Sequence, residues 1–141
     1  MVARATSYRL DPDVKAQLER QAVAEGISER ALLERLVREG LDTLHHPGVV
    51  YRDGPSGRRA GLAAGPDIWE VASALRHTKG RPEQRIADLA EQFELHPRHI
   101  RTAIEFAAAH REQIDADIAA NDAAIEEAQA QAKRRDDLMA S

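Results

Sequence analysis

Six histidines are the side chains in this sequence with the greatest capacity for chemistry. An imidazole binds metal ions and exchanges protons near neutral pH. His96 and His99 share one helical turn and His45 and His46 are adjacent, but no acidic residue completes either pair as a recognisable metal site. We therefore expect histidines at the surface, with no bound metal and no cofactor.

Catalytic motifs of other kinds are not found in the sequence. No glycine-rich phosphate loop or nucleophile elbow occurs, and the Gly-Pro-Ser-Gly run at residues 54–57 lacks a strand–helix context. The chain has no cysteine, which excludes disulfides and thiolate metal sites. The carboxylates are scattered over predicted helix exteriors. We expect a protein that is not an enzyme.

The formal net charge of −4 is concentrated at the C-terminal end. Residues 111–141 hold four basic and eight acidic side chains, so the first 110 residues are neutral overall. The N-terminal residues include Arg4, Arg9, Asp11 and Asp13 and no long apolar run, which predicts no signal peptide. No window approaches the length of a membrane span, so we expect a soluble, cytoplasmic protein.

The elements that would position functional side chains begin with a short alternating stretch. In a strand Thr6, Tyr8 and Leu10 would lie on one side, and Ala5, Ser7 and Arg9 on the other. A lone strand without a nearby hairpin partner cannot satisfy its backbone. The expected partner is the same strand in a second copy, which predicts a homodimer.

Two helices are predicted to follow this stretch. Asp11 and Pro12 are suited to open the first, and Gly26 to end it in the left-handed conformation. Ser28 is suited to cap the second. Its apolar residues repeat at intervals of three and four: Leu32, Leu33, Leu36, Val37, Leu41 and Leu44.

Over Ala5 to Leu44, this order of strand, helix, turn and helix resembles the ribbon-helix-helix DNA-binding family of the MetJ, Arc and CopG type. The resemblance implies that two strands pair across a dimer and enter the DNA major groove. It places Ala5, Ser7 and Arg9 against the bases and Ser28 at a backbone phosphate. The plainer interpretations are a solvated Arg9 and an ordinary helix cap at Ser28.

A boundary is expected near residues 45–48, where the helical pattern stops. Residues 49–62 are compatible with a β-hairpin, and helices are predicted to begin after Pro66, at Pro82 and at Pro97. Residues 86–104 have helix-turn-helix spacing, although Glu94 stands where glycine is usual. We interpret these two helices as a small packed core in preference to a second DNA-reading element.

Residues 47–114 also resemble a small domain of unknown function that bacterial antitoxins often carry. The residues that carry this resemblance are Gly65 to Val71, Leu95 to Pro97, Ile100 to Ile104 and Ala107 to His110. Together with a ribbon-helix-helix N-terminus, it implies the antitoxin of a type II toxin–antitoxin pair. The implied partner is a PIN-like ribonuclease.

The C-terminal tail has a seven-residue apolar pattern on one helix face. Such a helix can lie in a partner's groove with Ile114, Ile118 and Ile125 as anchors. Arg134 and Arg135 would then approach the carboxylates with which a PIN-like nuclease holds Mg²⁺. The alternatives are a solvated helical tail or one that pairs with its dimer mate.

The predicted fold is therefore mainly α. It has a ribbon-helix-helix module at 1–45, a small helical domain with a possible β-hairpin at 46–110, and a long helical tail at 111–141. The predicted function is an antitoxin that neutralises a PIN-like ribonuclease toxin and represses its own operon by binding operator DNA. The alternative is a free-standing ribbon-helix-helix transcriptional regulator without a toxin partner.

Overall fold

The computed structural model describes residues 3–55 and 57–141, which contain six helices and one two-stranded sheet. In chain order these are α1 (Pro12–Glu25), α2 (Glu29–His45), β1 (Val49–Gly54), β2 (Gly57–Leu62), α3 (Ile68–Leu75), α4 (Pro82–Phe93), α5 (Pro97–Ala109) and α6 (Arg111–Ala140). One compact unit ends at Leu41 and a second begins at Asp42. The second unit includes α6, which we had assigned to a separate tail.

The predicted N-terminal ribbon is wrong for this structure. Residues 3–11 adopt no regular secondary structure, and the sheet in the described part of the chain is a hairpin that follows α2. A strand needs a neighbour to satisfy its backbone groups, and this chain places none beside residues 5–10. The alternating pattern is therefore not sufficient to form a strand, and only Leu10 of the segment packs partly into the core of the first unit.

The first unit is a pair of helices joined by a tight turn. Gly26 takes the left-handed conformation with φ 68°, and the N–H of Ile27 donates to the carbonyl of Ala22 at 3.1 Å. Ser28 Oγ then accepts a hydrogen bond from the N–H of Ala31 at 3.0 Å and caps α2. The buried apolar side chains of this unit are Leu18, Ala22 and Leu32.

After the end of α2, the second unit continues with an antiparallel hairpin in which Arg52 lies opposite Arg59 and Val50 opposite Gly61. The guanidinium of Arg52 joins this hairpin to the start of α3. It donates to Asp67 Oδ1 at 3.0 Å and to the carbonyl of Gly65 at 2.6 Å.

Asp67, the residue before α3, forms hydrogen bonds with three side chains. Its carboxylate receives the Arg52 guanidinium and, at Oδ2, the indole N–H of Trp69 at 3.2 Å. Its backbone N–H donates to Glu70 Oε2 at 2.7 Å, which forms a capping box. These bonds explain why α3 begins here.

Helices α3, α4 and α5 pack against one another, α3 and α5 also pack against the hairpin, and the start of α6 packs onto α3 and α5. The fully buried side chains include Phe106 in the last turn of α5. The ring of Phe106 stacks on His110 at 4.3 Å and meets His46 edge-on at 5.2 Å. These contacts anchor the end of α2 and the end of α5 in one core.

Candidate functional site

The predicted DNA-contacting residues lie in the first unit. Ala5, Ser7 and Arg9 are exposed within a segment that has no regular structure, and Ser28 is the cap of α2. Ser7 borders a groove of about 1010 Å³ whose other wall is α2. The structure therefore leaves Ala5, Ser7 and Arg9 accessible but does not arrange them on a strand.

An apolar surface covers one side of this helix pair. We define the N-terminal apolar face as Val14, Leu33, Leu36, Val37 and Leu41. Each of these side chains is between 39% and 52% exposed. A folded unit of about 40 residues rarely exposes this much apolar surface without a partner.

In the second unit, α4 and α5 are joined by a three-residue turn with a left-handed first residue. Glu94 has φ 55° and ψ 45°, and the N–H of Leu95 donates back to the carbonyl of Ala90 at 2.9 Å. His96 caps α5, because its Nδ1 accepts from the N–H of Arg98 at 3.1 Å. A helix, a sharp turn and a second helix are thus fixed by backbone geometry.

The two sides of α5 differ in chemistry. Ile100, Ala103 and Phe106 are buried on the inner side. Arg98 and Arg101 are exposed on the outer side. The guanidinium of Arg101 pairs with Glu83 of α4, Nη2 to Oε2 at 2.8 Å.

The residues of the tail that we predicted to bind a partner differ in their exposure along α6. Ile114 and Ile118 are 2% and 5% exposed and belong to the core of the second unit, so their prediction as anchors for a partner is wrong. The apolar periodicity was real, but the chain's own α3 and α5 cover that face. Ile125 is 48% exposed and remains accessible.

From residue 122 to residue 140, α6 is helical and places no side chain in the core. We call this segment the α6 arm. Arg134 pairs with Glu127 at 3.3 Å within the arm, and Arg135 with Asp136 at 3.7 Å. Leu138 and Met139 are exposed near its end.

Asp117 is the carboxyl of the second unit with a perturbed pKa. Partial burial raises the pKa of Asp117, the positive charge of Arg59 opposes that rise, and the charge of Asp67 adds to it. Arg59 itself is buried, with its guanidinium carbon 5.4 Å from the ring centre of Trp69. This cluster joins the hairpin to α6.

The histidines form no metal centre in the described residues 3–55 and 57–141, where no group of three potential ligands is suitably placed. His46 and His110 instead pack around Phe106, with Nε2 of His110 3.6 Å from Asp42 Oδ1. Tyr51 donates to the other oxygen of Asp42 at 2.6 Å. Their arrangement is that of a half-buried structural cluster.

Sequence reasoning missed two features. The contact of Arg52 with Asp67 is tertiary, and the signal that pointed to it was Gly61 in the middle of a predicted strand. The second missed feature is the left-handed conformation of Glu94, and the signal for it was the place of Glu94 at the turn position where glycine is usual. Three surfaces described above are accessible to a partner: the N-terminal apolar face, the outer side of α5 and the α6 arm.

Among the described residues, no helix combines the length and the apolar character needed to cross a membrane. Comparison of the chain with protein families, with curated proteins and with solved structures finds no match.

Proposed function

We propose that this protein is the antitoxin of a type II toxin–antitoxin pair. It acts in the cytoplasm as a homodimer, binds a PIN-like ribonuclease toxin through the α6 arm and represses its own operon. The α6 arm is the observation that carries this proposal. A helix of about 19 residues that buries nothing within its own unit is long enough to fill a partner's groove.

The chemistry of the α6 arm suits capture of an enzyme with an acidic metal site. Ile125 provides an apolar contact, and Lys133, Arg134 and Arg135 form a cationic run near the end of the helix. Their present partners are exposed carboxylates, and such surface pairs contribute only about 0–1 kcal/mol each. A partner's carboxylates can replace them at little cost.

The N-terminal apolar face supports the homodimer. Three buried side chains are too few to hold a helix pair of this size together. A second copy offers the same leucines and valines and covers the face by symmetry, as isologous dimers do. This contact is between helices and does not require a ribbon.

The dimer is tested by placing a charge on that face. Leu41→Glu is expected to reduce the mass in solution from dimer to monomer and to lower the thermal stability, measured by analytical ultracentrifugation and circular dichroism. Ala31→Glu is the matched control, because Ala31 is exposed on the opposite side of α2 from Leu36, Val37 and Leu41. A dimer that survives Leu41→Glu would contradict this interface.

Toxin capture is tested by co-expressing the chain with the protein encoded by the neighbouring reading frame. Ending the chain after Asn121 removes no core residue, so the second unit should stay folded while co-purification and rescue of growth are lost. Ile125→Asp should weaken capture, whereas Ala123→Asp, which turns the same charge to another side of α6, should not.

Two results would refute the antitoxin. One is full neutralisation by the truncated chain, and the other is a neighbouring frame whose product is harmless when expressed alone. In the second case the free-standing transcriptional regulator becomes the better description, because DNA binding would then be the remaining activity.

A further inference from the structure

We propose that α5 is the DNA-reading helix of this protein and that it enters the major groove with Arg98 and Arg101. The inference rests on the proposed repressor function and specifies the surface that performs it. The ligand is double-stranded DNA. The surface belongs to the second unit, whereas the segment 5–9, in which sequence reasoning placed the base contacts, belongs to the first.

The first support is the geometry of the turn. Helix-turn-helix proteins join two helices by a turn of three or four residues, and the second helix places its N-terminal residues against the bases. Here Glu94, Leu95 and His96 separate α4 from α5. Glu94 is left-handed, a conformation that costs a residue with a side chain about 1–2 kcal/mol.

A strained turn persists only where the surrounding packing determines it. In this unit Leu89 and Ala90 of α4 are buried beside Ile100 and Ala103 of α5, and α3 packs on both helices. The small alanines allow the two helices to approach closely. The three helices therefore hold α5 in a fixed position, which a reading helix requires.

The second support is the exposed chemistry of α5. Arg98 lies in its first turn and Arg101 one turn further, so both side chains lie on the same outer side. Arginine is the side chain that most often reads guanine, through two parallel hydrogen bonds to O6 and N7. Thr102 follows beside them, although its hydroxyl now donates to the carbonyl of Arg98 at 3.0 Å.

The third support is the local charge. The whole chain has a formal charge of −4, but residues 76–102 contain six basic and four acidic side chains. One of those acids, Glu83, pairs with Arg101 at the surface. DNA can replace this exposed partner of Arg101, because surface pairs of this kind are weak.

The test uses the full chain and a labelled duplex with the sequence that precedes its own coding region, with a duplex of scrambled sequence for comparison. Fluorescence anisotropy is measured at several salt concentrations. Arg98→Ala and Arg101→Ala are each expected to weaken binding to the specific duplex about tenfold and to bring it closer to the binding of the scrambled duplex, because a base contact carries the sequence preference.

Arg111→Ala is the matched control. It removes the same charge from a side chain that is 86% exposed, at the start of α6 and beyond the far end of α5. Its affinity for DNA should remain that of the unmodified chain. Circular dichroism of each variant checks that α5 remains folded.

If the two α5 variants bind as tightly as the Arg111→Ala control, this inference is overturned while the repressor function stands. If the unmodified chain binds neither duplex even at low salt, both the repressor function and the inference fail. Toxin capture by the α6 arm is measured separately and is expected to be unchanged in all three variants.

Discussion

Gly61→Ala isolates the contribution of the Arg52 contact to the fold. The backbone of Gly61 is not in the left-handed region, so alanine meets no conformational penalty there. Its added Cβ, however, would lie 2.6 Å from Cζ of Arg52. The guanidinium must move, and it then loses its bonds to Asp67 and to the Gly65 carbonyl.

The magnitude follows from those bonds. Hydrogen bonds to a charged group contribute about 1.5–3 kcal/mol each, but water replaces part of this because Arg52 is 39% exposed. We therefore estimate that losing the Arg52 hydrogen bonds lowers the free energy of unfolding by about 2 kcal/mol. Alanine recovers about 0.5 kcal/mol by restricting the unfolded chain. The expected net loss in the free energy of unfolding is therefore about 1.5 kcal/mol.

The assay is urea unfolding followed by fluorescence of Trp69, the single tryptophan, whose indole donates to Asp67. In the background Arg52→Ala the steric conflict is absent, so Gly61→Ala should be neutral or slightly stabilising. Gly54→Ala in the same hairpin is the control, since its Cβ would meet only an ordinary contact at 3.5 Å. An equal loss with and without Arg52 would refute the reasoning.

Three further predictions concern the second unit. The pKa of Asp117 is raised in the folded state, so its carboxylate costs stability at neutral pH, and that cost is lost as the pH falls towards about 4. Asp117→Asn should therefore raise the melting temperature at neutral pH and leave it unchanged in acid; a gain that persists in acid would contradict this cause. Glu94→Gly should stabilise by about 1 kcal/mol in urea unfolding, because glycine accepts the left-handed turn, and no gain would show that Glu94 is not strained. Phe106→Ala should cost about 3–5 kcal/mol in the same measurement, since Phe106 is fully buried, and a cost below about 1 kcal/mol would argue against its central place in the core.

Local signals in the sequence located several helix ends. Pro12, Pro82 and Pro97 each stand at the first residue of a helix, and Gly26 ends α1 in the left-handed conformation. These residues act through their own backbone, so the sequence alone is enough to interpret them.

Features that depend on a partner could not be predicted in the same way. The alternation around Ser7 is compatible with a strand, but a strand exists only where a second one pairs with it. Likewise the spacing of Ile114 and Ile118 shows that one face of α6 is covered and does not show by what. In this structure the chain's own core covers it.

The helix-turn-helix region is a further case in which the sequence alone was not sufficient. Residues 86–104 have helix-turn-helix spacing, yet the sequence could not distinguish a DNA-reading pair of helices from two helices that only pack together. The structure adds the left-handed conformation of Glu94 and with it the geometry of the turn, because backbone angles depend on the packing of the whole unit.

The continuity of α6 has a consequence for turnover. The amides in its first turns exchange with solvent only when the second unit opens, whereas the amides beyond Asn121 lie outside the core and exchange through local opening of the helix. Within α6, a trypsin-like protease would therefore cut more readily at Lys133, Arg134 or Arg135 than at Arg111, and the core of the second unit would stay intact. Under the proposed antitoxin function, such a cut would abolish toxin capture while the core of the second unit stays folded, and an α6 arm bound to the toxin would be protected from it.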